Sequence, residues 1–197
     1  MLNVIVEDVL SDTVMRKLLL HVGFQLEPTV RIMRGNDRIR AGMRKFAEAS
    51  RVFPHIVLTD LDRLPCPPVL LQQWAIRNIP ETMLFRVAVH EVESWLMADR
   101  EAFAAYLSIA LDKVPFAPDT EIDTKQFLFS IVRRSKRTRL RSEILPTPGS
   151  HIGPLYNEHF CRFAKDCWRI NVAAENSPSL ARSLERLTTF CRDVVNV

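Results

Sequence analysis

The sequence predicts an α/β fold: a parallel sheet of about four strands flanked by helices, followed by a mostly helical C-terminal extension. Three observations predict it. Short runs rich in Val, Ile, Leu and Phe alternate with segments whose apolar residues recur at helical spacing. Several of those runs lead directly into acidic residues, which suits the carboxyl edge of an open parallel sheet, where ligands bind. Beyond residue 100 the strand signals stop, and helix caps, prolines and apolar stripes take over.

Leu2 to Val6 reads as the first strand, ending on Glu7 and Asp8. Ser11 or Asp12 offers an N-cap, and Val14, Leu18 and Leu19 place a helix as far as about His21. Thr29 to Met33 reads as a second strand. Gly35 and Asn36 open another helix with Ile39, Met43, Phe46 and Ala47 on one face and Arg38, Arg40, Arg44 and Lys45 on the other. Ile56 to Thr59 has no polar break before its threonine and reads as a strand buried on both faces. It runs into Asp60 and Asp62. Pro67 and Pro68 suit the first turn of a helix carrying Leu70, Leu71 and Trp74. Met83 to Val89 reads as the fourth strand, and Glu91 and Glu93 follow it closely. A strand order of two-one-three-four is a common way to arrange such a sheet.

The extension begins at Asp99, an N-cap for a helix with Phe103, Tyr106 and Leu107. A helix over 125–132 precedes a basic run of Arg133, Arg134, Lys136, Arg137, Arg139 and Arg141. Two further helices are expected over 156–168 and 178–194, the second capped by Ser177 with Pro178 at its first position. The division is therefore an α/β unit over 1–100 and a helical extension over 101–197 packed on it.

The acids carry the chemistry. Alternate residues of a strand share a face, so Asp60 and Asp62 are expected to converge on one point. Like charges that close repel unless a cation lies between them or one is protonated. The competing reading is a turn whose aspartates cap the next helix. With strand one beside strand three, Glu7, Asp60 and Asp62 meet at one edge, and Glu91 and Glu93 arrive there from strand four. Residues two apart on a helix do not face each other, so either Glu91 or Glu93, not both, is expected in the site. Trp74, Trp95 and Trp168 read as core.

Composition narrows the class. Apolar residues are 47% and charged residues 25%, ordinary values for a globular chain. No apolar run is long enough to span a bilayer and no signal-peptide layout opens the chain, so a cytoplasmic protein is expected. Cys66, Cys161, Cys167 and Cys191 lack paired spacing and read as reduced, mostly buried thiols. His159, Cys161 and Cys167 match no usual zinc spacing. The net charge of +4 permits a nucleic-acid partner without requiring one.

A strand ending in Glu7 and a later strand ending in Asp60-Leu61-Asp62 resemble the TOPRIM fold of topoisomerases, primases, recombination proteins and overcoming-lysogenization-defect nucleases. The segments Glu91 to Asp99 and Ser177 to Leu180 are similar to those of uncharacterised prokaryotic TOPRIM-like proteins linked to mobile elements and phage defence. Where that fold commonly has a glycine after its first acid, this chain has Asp8, which is an additional ligand or a turn former. The resemblance implies Mg²⁺ or Mn²⁺ held by Glu7, Asp60 and Asp62, with phosphoryl transfer on DNA or RNA; Glu91 or Glu93 is expected beside them from its position at the edge. Glu7 is then a ligand or a general base. Tyr106 and Tyr156 lack the setting of a topoisomerase nucleophile, and the length suits a nuclease. The rival is a non-catalytic binding subunit that works with a partner such as an ATPase. The chain has no Gly-rich phosphate loop with which to hydrolyse ATP itself. The basic run reads either as a grip on the phosphate backbone or as a solvated loop. Lys125 reads as a solvated surface lysine.

Overall fold

The computed structural model describes residues 1–195, so the last two positions of the expected extension lie outside it. Four strands, β1 (Asn3–Val6), β2 (Thr29–Ile32), β3 (His55–Asp60) and β4 (Met83–Ala88), form an all-parallel sheet in the order β2-β1-β3-β4. Three helices connect them: α1 (Val9–His21), α2 (Asn36–Ser50) and α3 (Pro67–Gln73). The chain leaves β1 for β2 on one side and returns to β3 on the other. Order therefore reverses at β1/β3, the switch point where open α/β sheets bind ligands.

The two faces are covered differently. Ile5, Val57, Phe85 and Val87 point to the side of α2 and α3, where they meet Ile39, Met43, Phe46 and Leu70. Val4, Val6, Ile56 and Leu58 point to the other side, against α1 and the C-terminal helices. β3 is buried on both faces, as its unbroken apolar run predicts. Asp8, not Ser11 or Asp12, caps α1: its carboxylate accepts from the Ser11 amide at 2.8 Å. The helix thus starts one turn earlier than its apolar spacing suggests.

The extension is α4 (Val92–Met97), α5 (Arg100–Leu107), α6 (Thr124–Val132), α7 (Thr138–Ile144), α8 (Tyr156–Asp166), α9 (Ile170–Asn176) and α10 (Pro178–Phe190), with a π turn over Cys191–Val195. Asp99 caps α5, as expected, and is fully buried, with Arg169 Nη2 2.6 Å from it. The expected helix over 156–168 ends at Asp166, and α9 was not foreseen. Nor was α7, which forms within the basic run because Leu140 and Ile144 are buried four residues apart. The extension shares one core with the sheet, in which Trp95, Phe103, Phe129 and Phe160 are buried beside Val6 and Leu58. Trp168 is buried as well, whereas Trp74 is only half-buried, tilted against Phe85. The cysteines depart from expectation: only Cys191 is buried, and Cys167 is exposed, although all four are free thiols. Among the described residues, no helix is long and apolar enough to cross a membrane.

The two segments singled out for their resemblance pack on one another. The Trp95 indole N–H donates to Ser179 Oγ at 2.6 Å. Ser177 Oγ and the Ser179 amide both donate to Asp119, at 2.8 Å each. This knot fixes the start of α10 against α4, and with it the side of β4.

Candidate functional site: an acidic sheet edge with one half-buried lysine

Glu7 follows directly on β1. Its Oε1 accepts from the Thr59 hydroxyl at 2.6 Å and from the Asp60 amide at 2.8 Å. These bonds hold the first acid across the switch point, against the end of β3. Asp8 is turned away to cap α1, so the turn-forming role is the one it fills here.

Asp60 and Asp62 do not converge by strand alternation. β3 ends at Asp60, and Asp62 lies in the left-handed region with φ 53°. The rule that alternate residues share a face therefore lapses between them. Asp60 Oδ1 accepts from the Val92 amide at 3.0 Å, at the start of α4. Asp62 is turned toward α2, where Asn36 donates to its carboxylate. Gly35 makes this possible: at φ 122° it takes a backbone angle that side chains resist, and the chain turns there into α2 at Asn36. The Asp62 backbone is pinned as well, its amide to the His90 carbonyl at 2.8 Å and its carbonyl to the His90 ring at 2.6 Å.

Glu91 and Glu93 both lie at the edge, and both face the same lysine. The helix starts at Val92, so Glu91 is still extended at φ −138° and ψ 158°. The two are not in helical register, and both reach one cation. Lys125 Nζ lies 3.5 Å from Glu91 Oε1 and 3.6 Å from Glu93 Oε1. The buried Tyr156 hydroxyl donates to Glu93 Oε1 at 2.6 Å. The expectation of a solvated Lys125 is thus overturned. A signal was present: with Asp123 as N-cap, Lys125 stands in the first turn of α6, where the helix dipole disfavours a cation. A lysine there needs a counter-charge from elsewhere. Tyr156, Thr59 and Asn36 carried no comparable signal, since their partners are distant in sequence.

Crowding sets the electrostatics. Burial, and then the neighbouring Glu7 and Glu93, push the Asp60 carboxyl well above the usual range. Glu7 and Asp62 are raised by burial too, and hydrogen bonds from Thr59 and Asn36 oppose the rise. Burial and Glu93 lift Glu91 to about 7. Lys125 is raised as well: Glu93, and more weakly Glu91 and Asp60, hold its proton more tightly than usual. Burial and Glu93 together keep Tyr156 protonated. One lysine thus meets Glu91 and Glu93 amid carboxylates that repel one another, a repulsion that a further cation would relieve.

The donor set fits a hard divalent ion. Every candidate ligand is a carboxylate oxygen, the kind that Mg²⁺ and Mn²⁺ favour. Glu91 Oε2 is buried and has no hydrogen-bond partner, a cost that a bound cation would remove. Among the described residues, no three His, Cys, Asp or Glu side chains stand close enough to share one ion as they are placed.

The basic run lies beyond the far end of α6. Lys125 is in its first turn and Arg133 caps its last, about 12 Å apart at 1.5 Å per residue. Arg133, Arg134 and Lys136 are exposed. Arg137 donates to the Tyr106 carbonyl, Arg139 pairs with Glu143 at 2.7 Å, and Arg141 donates to the Ser135 carbonyl. Half of the run is thus engaged within the fold, and its last part is α7 rather than a loop. Comparison with protein-family models, with curated proteins and with solved structures returns no match.

Proposed function

We propose that the acidic edge supports divalent-metal-dependent hydrolysis of phosphodiesters in DNA or RNA. The observation that carries this reading is the meeting of Glu7, Asp60, Asp62, Glu91 and Glu93 around the switch point of a parallel sheet. The resemblance of Glu7 and Asp60-Leu61-Asp62 to the TOPRIM acids supports it, and the resemblance to uncharacterised TOPRIM-like proteins linked to mobile elements and phage defence suggests the setting. Glu7, Asp60 and Asp62 are the residues to hold Mg²⁺ or Mn²⁺, with Glu91 and Glu93 beside them. When bound, such an ion neutralises a phosphate oxygen and makes water a stronger nucleophile.

The chain's own groups do the rest. Thr59 and the Asp60 amide orient Glu7, and Asn36 orients Asp62. Tyr156 orients Glu93, and Lys125 places one cation against both Glu91 and Glu93. Arg133, Arg134 and Lys136 offer cations to the substrate backbone about 12 Å from Lys125.

The second reading is a non-catalytic binding subunit that acts beside a partner such as an ATPase. One observation favours it: Lys125 already supplies a cation to the glutamate pair. Cleavage of labelled single- and double-stranded DNA and RNA, with Mn²⁺, Mg²⁺ or EDTA, tests both. Metal-dependent cleavage that disappears in Asp60→Asn and Glu7→Gln is expected. Nucleic-acid binding without cleavage under any metal selects the second reading, and neither binding nor cleavage overturns both.

A further inference from the structure

A second charged cluster lies where α10 covers β4. Arg86, on this edge strand, is half-buried beneath α10. Its one side-chain hydrogen bond among the described residues is from Nε to Ser183 Oγ, at 3.3 Å. Arg182 and Arg186, one turn apart on α10, are the charges nearest to it in effect, and both repel it. Glu185 is exposed on the same helix and attracts it more weakly. Among the described residues, none of the three arginines makes an ion pair, although nine other lysine and arginine side chains do.

This arrangement is costly as it stands. A guanidinium taken partly out of water loses hydration, and like charges at short range add to that loss. Arg86 is displaced accordingly, its proton held less tightly than usual because of burial first and Arg186 and Arg182 next. A surface arginine with no such role would project into solvent. Arg86 instead points under α10, held by Ser183, whose own hydroxyl donates to the Ser179 carbonyl at 2.8 Å. A cleft of about 130 Å³ opens beside it, lined by Arg86, Arg182, Ser179, Leu71 and Val89. It is too small for a drug-sized ligand but open to a small anion.

We propose that Arg86 and Arg182, which line this cleft, form a phosphate-binding site at the β4 edge, separate from the acidic edge, with Arg186 one turn further along α10 adding positive charge nearby. Guanidinium forks match the paired oxygens of a phosphate, and two of them suit a group with several acceptor oxygens. The source is either a phosphodiester of a bound strand or a free phosphate compound. The site needs neither the carboxylates nor a metal, so its test is run in EDTA and stands or falls apart from the nuclease reading.

The test compares the wild type with Arg182→Gln Arg186→Gln, two exposed positions whose loss leaves the core untouched, and with Arg86→Lys. Melting is followed with inorganic phosphate against chloride at equal ionic strength. Binding of a labelled 20-nucleotide single strand is followed against salt. A phosphate-specific rise in melting temperature that the double variant loses is expected, with Arg86→Lys retaining only part of it. If the strand is the source, the double variant also lowers the log–log salt slope by roughly 1.4, at about 0.7 per lost contact on single strands. An unchanged slope with a lost phosphate effect assigns the site to free phosphate compounds. No phosphate-specific effect in the wild type, an equal effect in the double variant, or an equal effect from poly-glutamate overturns the proposal.

Discussion

Glu91→Gln should make the metal-free protein more stable at pH 8 while leaving it nearly unchanged at pH 4. Glu91 carries a carboxyl raised from 4.5 to about 7, chiefly by burial and then by Glu93, with its side chain only 15% exposed. Between those two pH values the folded state binds a proton that the unfolded state has released. Stability therefore falls as pH rises through this window, and it is fully present below 4.5. The span from 4.5 to about 7, at 1.36 kcal/mol per pH unit, corresponds to about 3 kcal/mol. Glutamine cannot ionise, so the variant escapes that loss. Urea melts in EDTA at several pH values would measure it, and the difference between variant and wild type cancels contributions from every other titrating group that is left undisturbed. Its midpoint should move up by roughly 1–3 M at pH 8, for a slope of about 1–3 kcal/mol/M. Parallel stability curves for the two proteins from pH 4 to pH 8 would refute the reasoning, because they would mean that the Glu91 carboxylate is hydrated or paired well enough to ionise normally.

Asp60→Asn should keep its bond to the Val92 amide, stabilise the metal-free fold at neutral pH, and lack the rise in melting temperature expected of the wild type with Mn²⁺. Thermal melts with and without Mn²⁺ check it. Lys125→Met leaves Glu91 and Glu93 without their cation and should cost about 1–3 kcal/mol at pH 8, less than a fully buried pair because Lys125 is 32% exposed; denaturant melts read the loss, which Mn²⁺ should partly restore. Arg133→Gln Arg134→Gln should reduce the salt slope of single-strand binding by roughly 1.4 with no change in Mn²⁺ affinity, since these side chains are exposed at the far end of α6. An undiminished slope in filter-binding assays would remove these two arginines from the interface.

The sheet was legible because its signals are local. Ile56 to Leu58 is buried on both faces and Met83 to Ala88 runs beside it, each readable from a short apolar run. The strand order followed from the number of crossovers and the common layout of such sheets. The helical half was less legible where helices are short. α7 and α9 have seven residues each, too few to display a period, and they form because Leu140, Ile144, Ile170 and Ala173 reach a core assembled from elsewhere. The chain over 167–169 breaks the expected 156–168 helix because the Trp168 indole donates to the Trp95 carbonyl and the Arg169 amide to Asp99, bonds that no local pattern announces.

The candidate site divides in the same way. Its acids were legible as residues at strand ends, but their directions were not, because each is set by a partner distant in sequence. Asn36 turns Asp62, the Val92 amide holds Asp60, and the late onset of α4 frees Glu91 to face the same cation as Glu93. The extension is what completes the edge. α6 brings Lys125 and α8 brings Tyr156, both onto Glu93, from segments that follow the sheet by more than thirty residues. Without these two groups Glu93 would be a carboxylate that is 4% exposed with neither counter-charge nor hydrogen bond. A carboxylate so buried is stable only when paired. The acidic edge and the helical extension therefore depend on one another, and the helices are part of the site rather than an appendage to it.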